Sequence, residues 1–151
     1  MIDEIDQKLL VLLKKDAKRK YSELAEELNL SPPSVHARVK KLEQSGVIKS
    51  YNIEIDGAAI GLRLVAFVRI TTEGAPSNKE LCAGLSQFPE VEEIYNVAGE
   101  ECLLLKARTT DPTALGVLLD NLRTVKGVTK TITSVVLSVG LDRGITPRIE
   151  T

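Results

Sequence analysis

Residues 21–48 read YSELAEELNLSPPSVHARVKKLEQSGVI. Its first part carries Leu24, Ala25 and Leu28, apolar at i, i+1 and i+4, which gives a short helix one buried side. Asn29-Leu30 interrupts the pattern. Ser31 then stands where an N-cap belongs, and Pro32 follows at the first helical position, where a missing N–H loses no hydrogen bond. Val35, Val39 and Leu42 repeat at i, i+4 and i+7, so a second helix turns one side inward, and Gly46 supplies its left-handed C-terminal cap. Two helices joined by a short turn, the second basic on its free side, form the helix-turn-helix pattern.

The second helix offers a defined set of residues to a partner. Opposite Val35, Val39 and Leu42 lie Pro33, Ala37, Lys40 and Lys41, with Ser34 and Arg38 on the flank. Small side chains come first and three cations follow one turn later. That order suits a helix whose N-terminal end enters a major groove while later turns hold phosphates. A charged side alone describes any solvated amphipathic helix; the cap, the turn and the closing glycine together favour double-stranded DNA. The expected contacts are Ser31, Pro33, Ser34, His36, Ala37, Arg38, Lys40 and Lys41, with Ser34 and Ala37 at base edges.

Composition sets the surroundings. The chain has 151 residues, 43% of them hydrophobic, enough for one core or two small ones. No apolar run is long enough to span a bilayer and the start, MIDEIDQ, is acidic, so no membrane partner and a cytoplasmic location are expected. Cys82 and Cys102 are too few for a disulfide framework and lack metal-ligand spacing; they read as small buried hydrophobes, with no metal and no cofactor. The net charge of −1 hides a split: residues 1–50 hold ten Lys/Arg against eight Asp/Glu, and the remainder ten against thirteen. A nucleic-acid contact is therefore expected at the N-terminal end only, and one copy offers so few phosphate contacts that a dimer is expected.

Along the chain, Asp3 is placed to cap a helix over residues 4–16 with Ile5, Leu9, Leu12 and Leu13 on one side. The run VIKSYNIEI (47–55) alternates and predicts a strand, a wing or a connector, from which Lys49 reaches a phosphate. The turn DGAAIG marks a boundary. The expected domains are 1–50 for DNA binding, 51–61 as connecting strand and hinge, and 62–151 beyond. There strands are predicted over 64–71, 91–97, 102–109 and 128–139, with helices over 77–88 and after Asp111-Pro112. The order β-α-β-β-α-β is that of a ferredoxin-like split βαβ, so the class is α+β: a winged helix-turn-helix of three helices followed by a ferredoxin-like domain. A displacement of 37 residues sets Phe67 on Leu104, Leu81 on Leu118, Leu85 on Leu122 and Val91 on Val128, which matches its two halves. The 64–71 strand is apolar on both sides, whereas two helices cover one face of a four-stranded sheet. The other face is expected to meet a second copy of the chain.

DEIDQKLL, YSELAEELNLSPPSVHARVKKLEQSGVIKSY, IDGAAIGL and the βαββαβ order together resemble the Lrp/AsnC family of transcription regulators, the feast/famine regulators, over nearly the whole chain. The first two motifs are the specific ones, running through a serine cap, the mid-helix Arg38, a leucine and GVI. The resemblance implies a dimer paired sheet to sheet, assembling further to tetramers or octamers, and a response to an amino acid or related metabolite bound between C-terminal domains. The family's loop usually reads Gly-Asp-Tyr-Asp; here it reads Gly99, Glu100, Glu101, Cys102, so the last acidic residue is replaced. The effector's amino group is then expected on Glu100 or Glu101 and its carboxylate on backbone N–H groups near Gly99. Thr131, Thr133 and Ser134 would add hydroxyls. The same residues also read as a plain solvated turn.

Two rival functions follow. Some proteins built like this family decarboxylate sirohaem, but the sole histidine, His36, lies on the recognition helix, and no catalytic constellation assembles around it, so no enzyme is expected. An amino-acid sensor that acts without DNA is the other, and the run Arg38, Lys40, Lys41 argues against it.

Overall fold

A computed structural model describes residues 2–74, 77–99 and 102–147. The chain divides into two compact units, one from residues 1–54 with 141–151, the other from 55–140.

The first unit holds α1 (Glu4–Lys15), α2 (Tyr21–Leu28) and α3 (Pro32–Gln44). Local chemistry sets their ends. Asp3 and Asp6 form a capping box: the Asp6 N–H donates to Asp3 Oδ1 at 2.7 Å and the Asp3 N–H to Asp6 Oδ2 at 3.3 Å. α2 stops at left-handed Asn29, φ 53°, after which the Leu30 N–H closes on the Ala25 carbonyl at 2.8 Å. The Ser31 hydroxyl accepts from the Ser34 N–H at 3.3 Å, and Pro32 and Pro33 occupy the first two helical positions. At the far end Gly46, φ 72°, lets the Val47 N–H reach Leu42 O and its own N–H reach Glu43 O, both at 3.0 Å. No helix here exceeds 13 residues, so none is stable alone. They cohere through Leu9, Leu13, Leu24, Ala25, Val35, Val39 and Leu42, each buried leucine contributing about 1.5–3 kcal/mol.

The strand expected over 47–55 does not form. A strand requires a ladder partner, and residues 49–56 find none among the described residues; Ile53 is 77% exposed. Tyr51 instead donates its hydroxyl to Glu43 Oε1 at 2.9 Å. Residues 141–147 belong to this unit too: the Lys14 ammonium donates to the Arg143 carbonyl, and it reaches Thr146 Oγ1 at 3.4 Å.

The second unit holds β1 (Leu64–Thr72), α4 (Asn78–Leu85), β2 (Val91–Asn96), β3 (Leu103–Thr109), α5 (Pro112–Thr124) and β4 (Val128–Val135). The strands form one antiparallel sheet in the order β2-β3-β1-β4. Ser77 and Asp111 cap the two helices through the N–H groups of Glu80 and Ala114. One helix is shorter than expected, since α4 ends at Leu85 with a turn up to Phe88. β4 is shorter too, ending at Val135 and not at residue 139. Its register sets Ala66 against Val135, which would place Leu64, the first residue of β1, opposite Leu137; beyond that there is no strand to pair with, and Leu137 is 97% exposed.

Alternation separates the two faces. Val68, Ile70, Leu103, Leu105 and Ala107 meet Leu81, Leu85, Leu118 and Leu122 in one core, so both leucine pairs of the internal repeat are buried together. The opposite face carries Val65, Phe67, Leu104, Tyr95 and Ile132, but also charge: Lys106 reaches Glu93 at 3.1 Å and Glu92 at 3.6 Å, and Arg108 pairs with Glu92. That face is amphipathic, where the sequence of β1 alone suggested a uniformly apolar one.

Candidate nucleic-acid interface and effector region

The rotation of α3 follows from its buried residues. Val35, Val39 and Leu42 face the core, which leaves Pro33, Ser34, His36, Ala37, Lys40 and Lys41 exposed on the other side. The Ser31 and Ser34 hydroxyls lie 2.8 Å apart, so the cap and the first candidate base-edge residue share a hydrogen bond. His36 leans on Tyr21 of α2, ring centroids 5.7 Å apart. Lys49 is exposed on the extended segment after α3. Lys40 and Lys41 enter no ion pair among the described residues.

Arg38 is placed differently. Its Nη1 donates to Asp3 Oδ2 and to Asp6 Oδ1, both at 2.6 Å, so the guanidinium expected on a phosphate is bound to two carboxylates of the α1 N-terminus. Hydrogen bonding by Arg38 first, then by the Asp6 N–H, holds the Asp3 carboxyl below its ordinary value, and the bonds to the Asp3 and then the Asp6 carboxylate raise Arg38. A depressed carboxyl stabilises the fold above its unfolded value, and that stability is lost as pH falls through the folded value. Asp3, Leu30, Ser34, Ala37, Arg38 and Lys41 line a shallow depression of about 430 Å³. The sequence held one signal for this pairing: Asp6 lies three residues before Leu9 and seven before Leu13, a carboxylate on the buried stripe of α1.

Among the described residues, the effector candidates are not brought to one place. Thr131 and Thr133 stand opposite Ile70 and Val68 on the helix-covered face, where Arg123 Nε of α5 donates to Thr131 Oγ1 at 3.2 Å. Ser134 stands opposite Phe67 on the other face. Gly99 is exposed beyond β2. Cys102 is half-buried against the core, its sulfur accepting from Thr72 Oγ1 at 3.3 Å. Glu100 and Glu101 lie outside the described residues.

A three-helix head with one exposed basic helix, joined to a ferredoxin-like βαββαβ sheet, is the architecture of a helix-turn-helix transcription regulator. Residues 2–49 match the family described as winged helix-turn-helix DNA-binding, and residues 65–144 match the Lrp/AsnC ligand binding domain. The chain belongs to the Lrp/AsnC family. It is 33% identical over 136 residues to the HTH-type transcriptional regulator FL11 of Pyrococcus horikoshii, covering 90% of this chain and 89% of that one. The structure of Escherichia coli AsnC superposes with a TM-score of 0.91 at 30% identity, covering 97% of this chain and 99% of the other. The feast or famine regulatory protein of Mycobacterium tuberculosis complexed with L-methionine does so with a TM-score of 0.91 at 34% identity, covering 98% and 100%.

Proposed function

We propose that this regulator acts as a dimer, paired through the amphipathic sheet face, with two α3 helices in successive major grooves of a roughly palindromic site. The exposed side of α3 carries the reading: small residues, Ser34 and Ala37, come first, and Lys40 and Lys41 follow, in no ion pair among the described residues. Base edges then fall to Ser34 and Ala37, phosphates to Lys40, Lys41 and Lys49. Residues 1–50 form the DNA-binding part and 51–61 the hinge.

Lys41→Ala is expected to weaken binding to every sequence alike and to lower the salt slope of log K by about one. A changed sequence preference in a gel-shift series would instead place Lys41 on a base.

The effector is an amino acid held between C-terminal domains of neighbouring dimers, which assemble to tetramers or octamers. Its support is the methionine complex of the related feast or famine protein, with Gly99, Glu100 and Glu101 in the position of the family's ligand loop. Screening the amino acids by thermal shift tests this, since a ligand at about 100 times its Kd adds about 2.7 kcal/mol of apparent stability. No shift from any amino acid at millimolar concentration contradicts it. DNA of the right phasing then changes amino-acid affinity by the same factor as the amino acid changes DNA affinity. The regulators to which the chain is similar speak for a non-enzymatic protein.

A further inference from the structure

The geometry assigns Arg38 to the placement of α3 rather than to DNA: Asp3 and Asp6 hold its guanidinium, making it a positioning residue for recognition. This rests on the DNA-binding reading of α3 and deepens it.

Three observations carry the assignment. The first is that no carboxylate oxygen of the pair is idle. Asp3 gives Oδ1 to the Asp6 N–H and Oδ2 to Arg38; Asp6 gives Oδ2 to the Asp3 N–H and Oδ1 to Arg38. The capping box that starts α1 and the ion pair that grips α3 are thus one four-bond network, which ties the start of one helix to the middle of the other. Such a tie fixes the rotation of α3 about its axis, and that rotation decides which side chains meet base edges.

The second is burial. The Asp6 side chain is 1% exposed and that of Arg38 27%. Moving Arg38 onto a phosphate would leave the Asp6 carboxylate buried without its cation, an arrangement far less favourable than one screened phosphate contact. Lys40 and Lys41 face no such conflict.

The third is position. Arg38 lines the same depression as Ser34, Ala37 and Lys41, so where its guanidinium is held bears directly on the residues set at base edges. The two carboxylates beside it repel a backbone that approaches with α3 wrongly set, which adds discrimination without any contact.

The test separates positioning from contact by sign. A duplex selected from a random pool by the wild-type protein serves as specific site, and poly(dI-dC) as non-specific competitor, each titrated over a salt series. Asp6→Asn removes one negative charge from the head, so simple electrostatics predicts tighter binding to both duplexes and an unchanged ratio. Positioning predicts instead a specific-to-non-specific ratio lower by roughly tenfold, the worth of one base contact. Arg38→Gln is expected to lower the ratio similarly while leaving the salt slope on the specific duplex unchanged, and the double variant to be no worse than either single one. Should Asp6→Asn unfold the head, Asp3→Asn carries the same test from a half-exposed residue ahead of the helix, again with a reduced ratio expected. A slope reduced by about 0.9 in Arg38→Gln, with the ratio intact in the aspartate variants, overturns the assignment and makes Arg38 a phosphate ligand. Wild-type protein that binds neither duplex at low salt overturns the DNA-binding reading itself.

Discussion

Leu105→Ala is expected to destabilise the unit formed by residues 55–140 by about 3–5 kcal/mol, the range for a leucine removed from a core that cannot collapse around the void. Leu105 is fully buried on β3, a central strand with β1 on one side and β2 on the other. Its cross-strand neighbours are Val68 and Ile94, and above it lie the leucines of α4 and α5. Strands paired on both edges and helices anchored by their own leucines leave little freedom to fill the gap. A loss of this size is a large share of the total stability of a domain. Denaturant unfolding at fixed protein concentration measures it. A loss under about 1 kcal/mol would mean that the core described is not the one that holds the sheet.

Phe67→Glu is expected to leave each chain folded and to separate the proposed dimer. Phe67 lies half-buried on the face opposite the helices, with Lys106 directly across on β3 and Ser134 across on β4. A carboxylate there has a cation beside it within its own chain, so the sheet tolerates it. Pressed against a partner's sheet, the same carboxylate loses its water, at a penalty of several kcal/mol. DNA affinity falls with the dimer. Two linked heads bind the second half-site at millimolar effective concentration, and losing that link lowers affinity by about 10²–10⁴-fold. Sedimentation and gel shift read the two effects on one sample. A Phe67→Glu protein that remains a dimer places the interface elsewhere.

Much of this was legible from local signals. The caps at Asp3, Ser31 and Asp111 and the closure at Gly46 are each set by one or two residues, so they can be read locally. The same holds for the burial of Val35, Val39 and Leu42, a matter of period alone. What depends on partners was less legible. Residues 47–55 alternate as a strand does, but alternation does not supply a neighbour, and the chain leaves them unpaired. Likewise β4 cannot run to residue 139, because β1 begins at Leu64 and offers nothing to pair beyond residue 137, which is a property of another segment. Arg38 looked free because helical spacing sets it on the flank of the exposed side; its two carboxylates lie more than thirty residues away in sequence. The three hydroxyls of β4 are close in sequence, but the period of two in a strand sends Thr131 and Thr133 to one face and Ser134 to the other.

If paired heads read a duplex through α3, footprinting on a selected duplex shows two protected segments on one face of the DNA, related by inversion and centred about 34–36 Å apart, both lost when Lys40 and Lys41 are replaced together by alanine. A single protected segment, or protection that survives the double replacement, would contradict it.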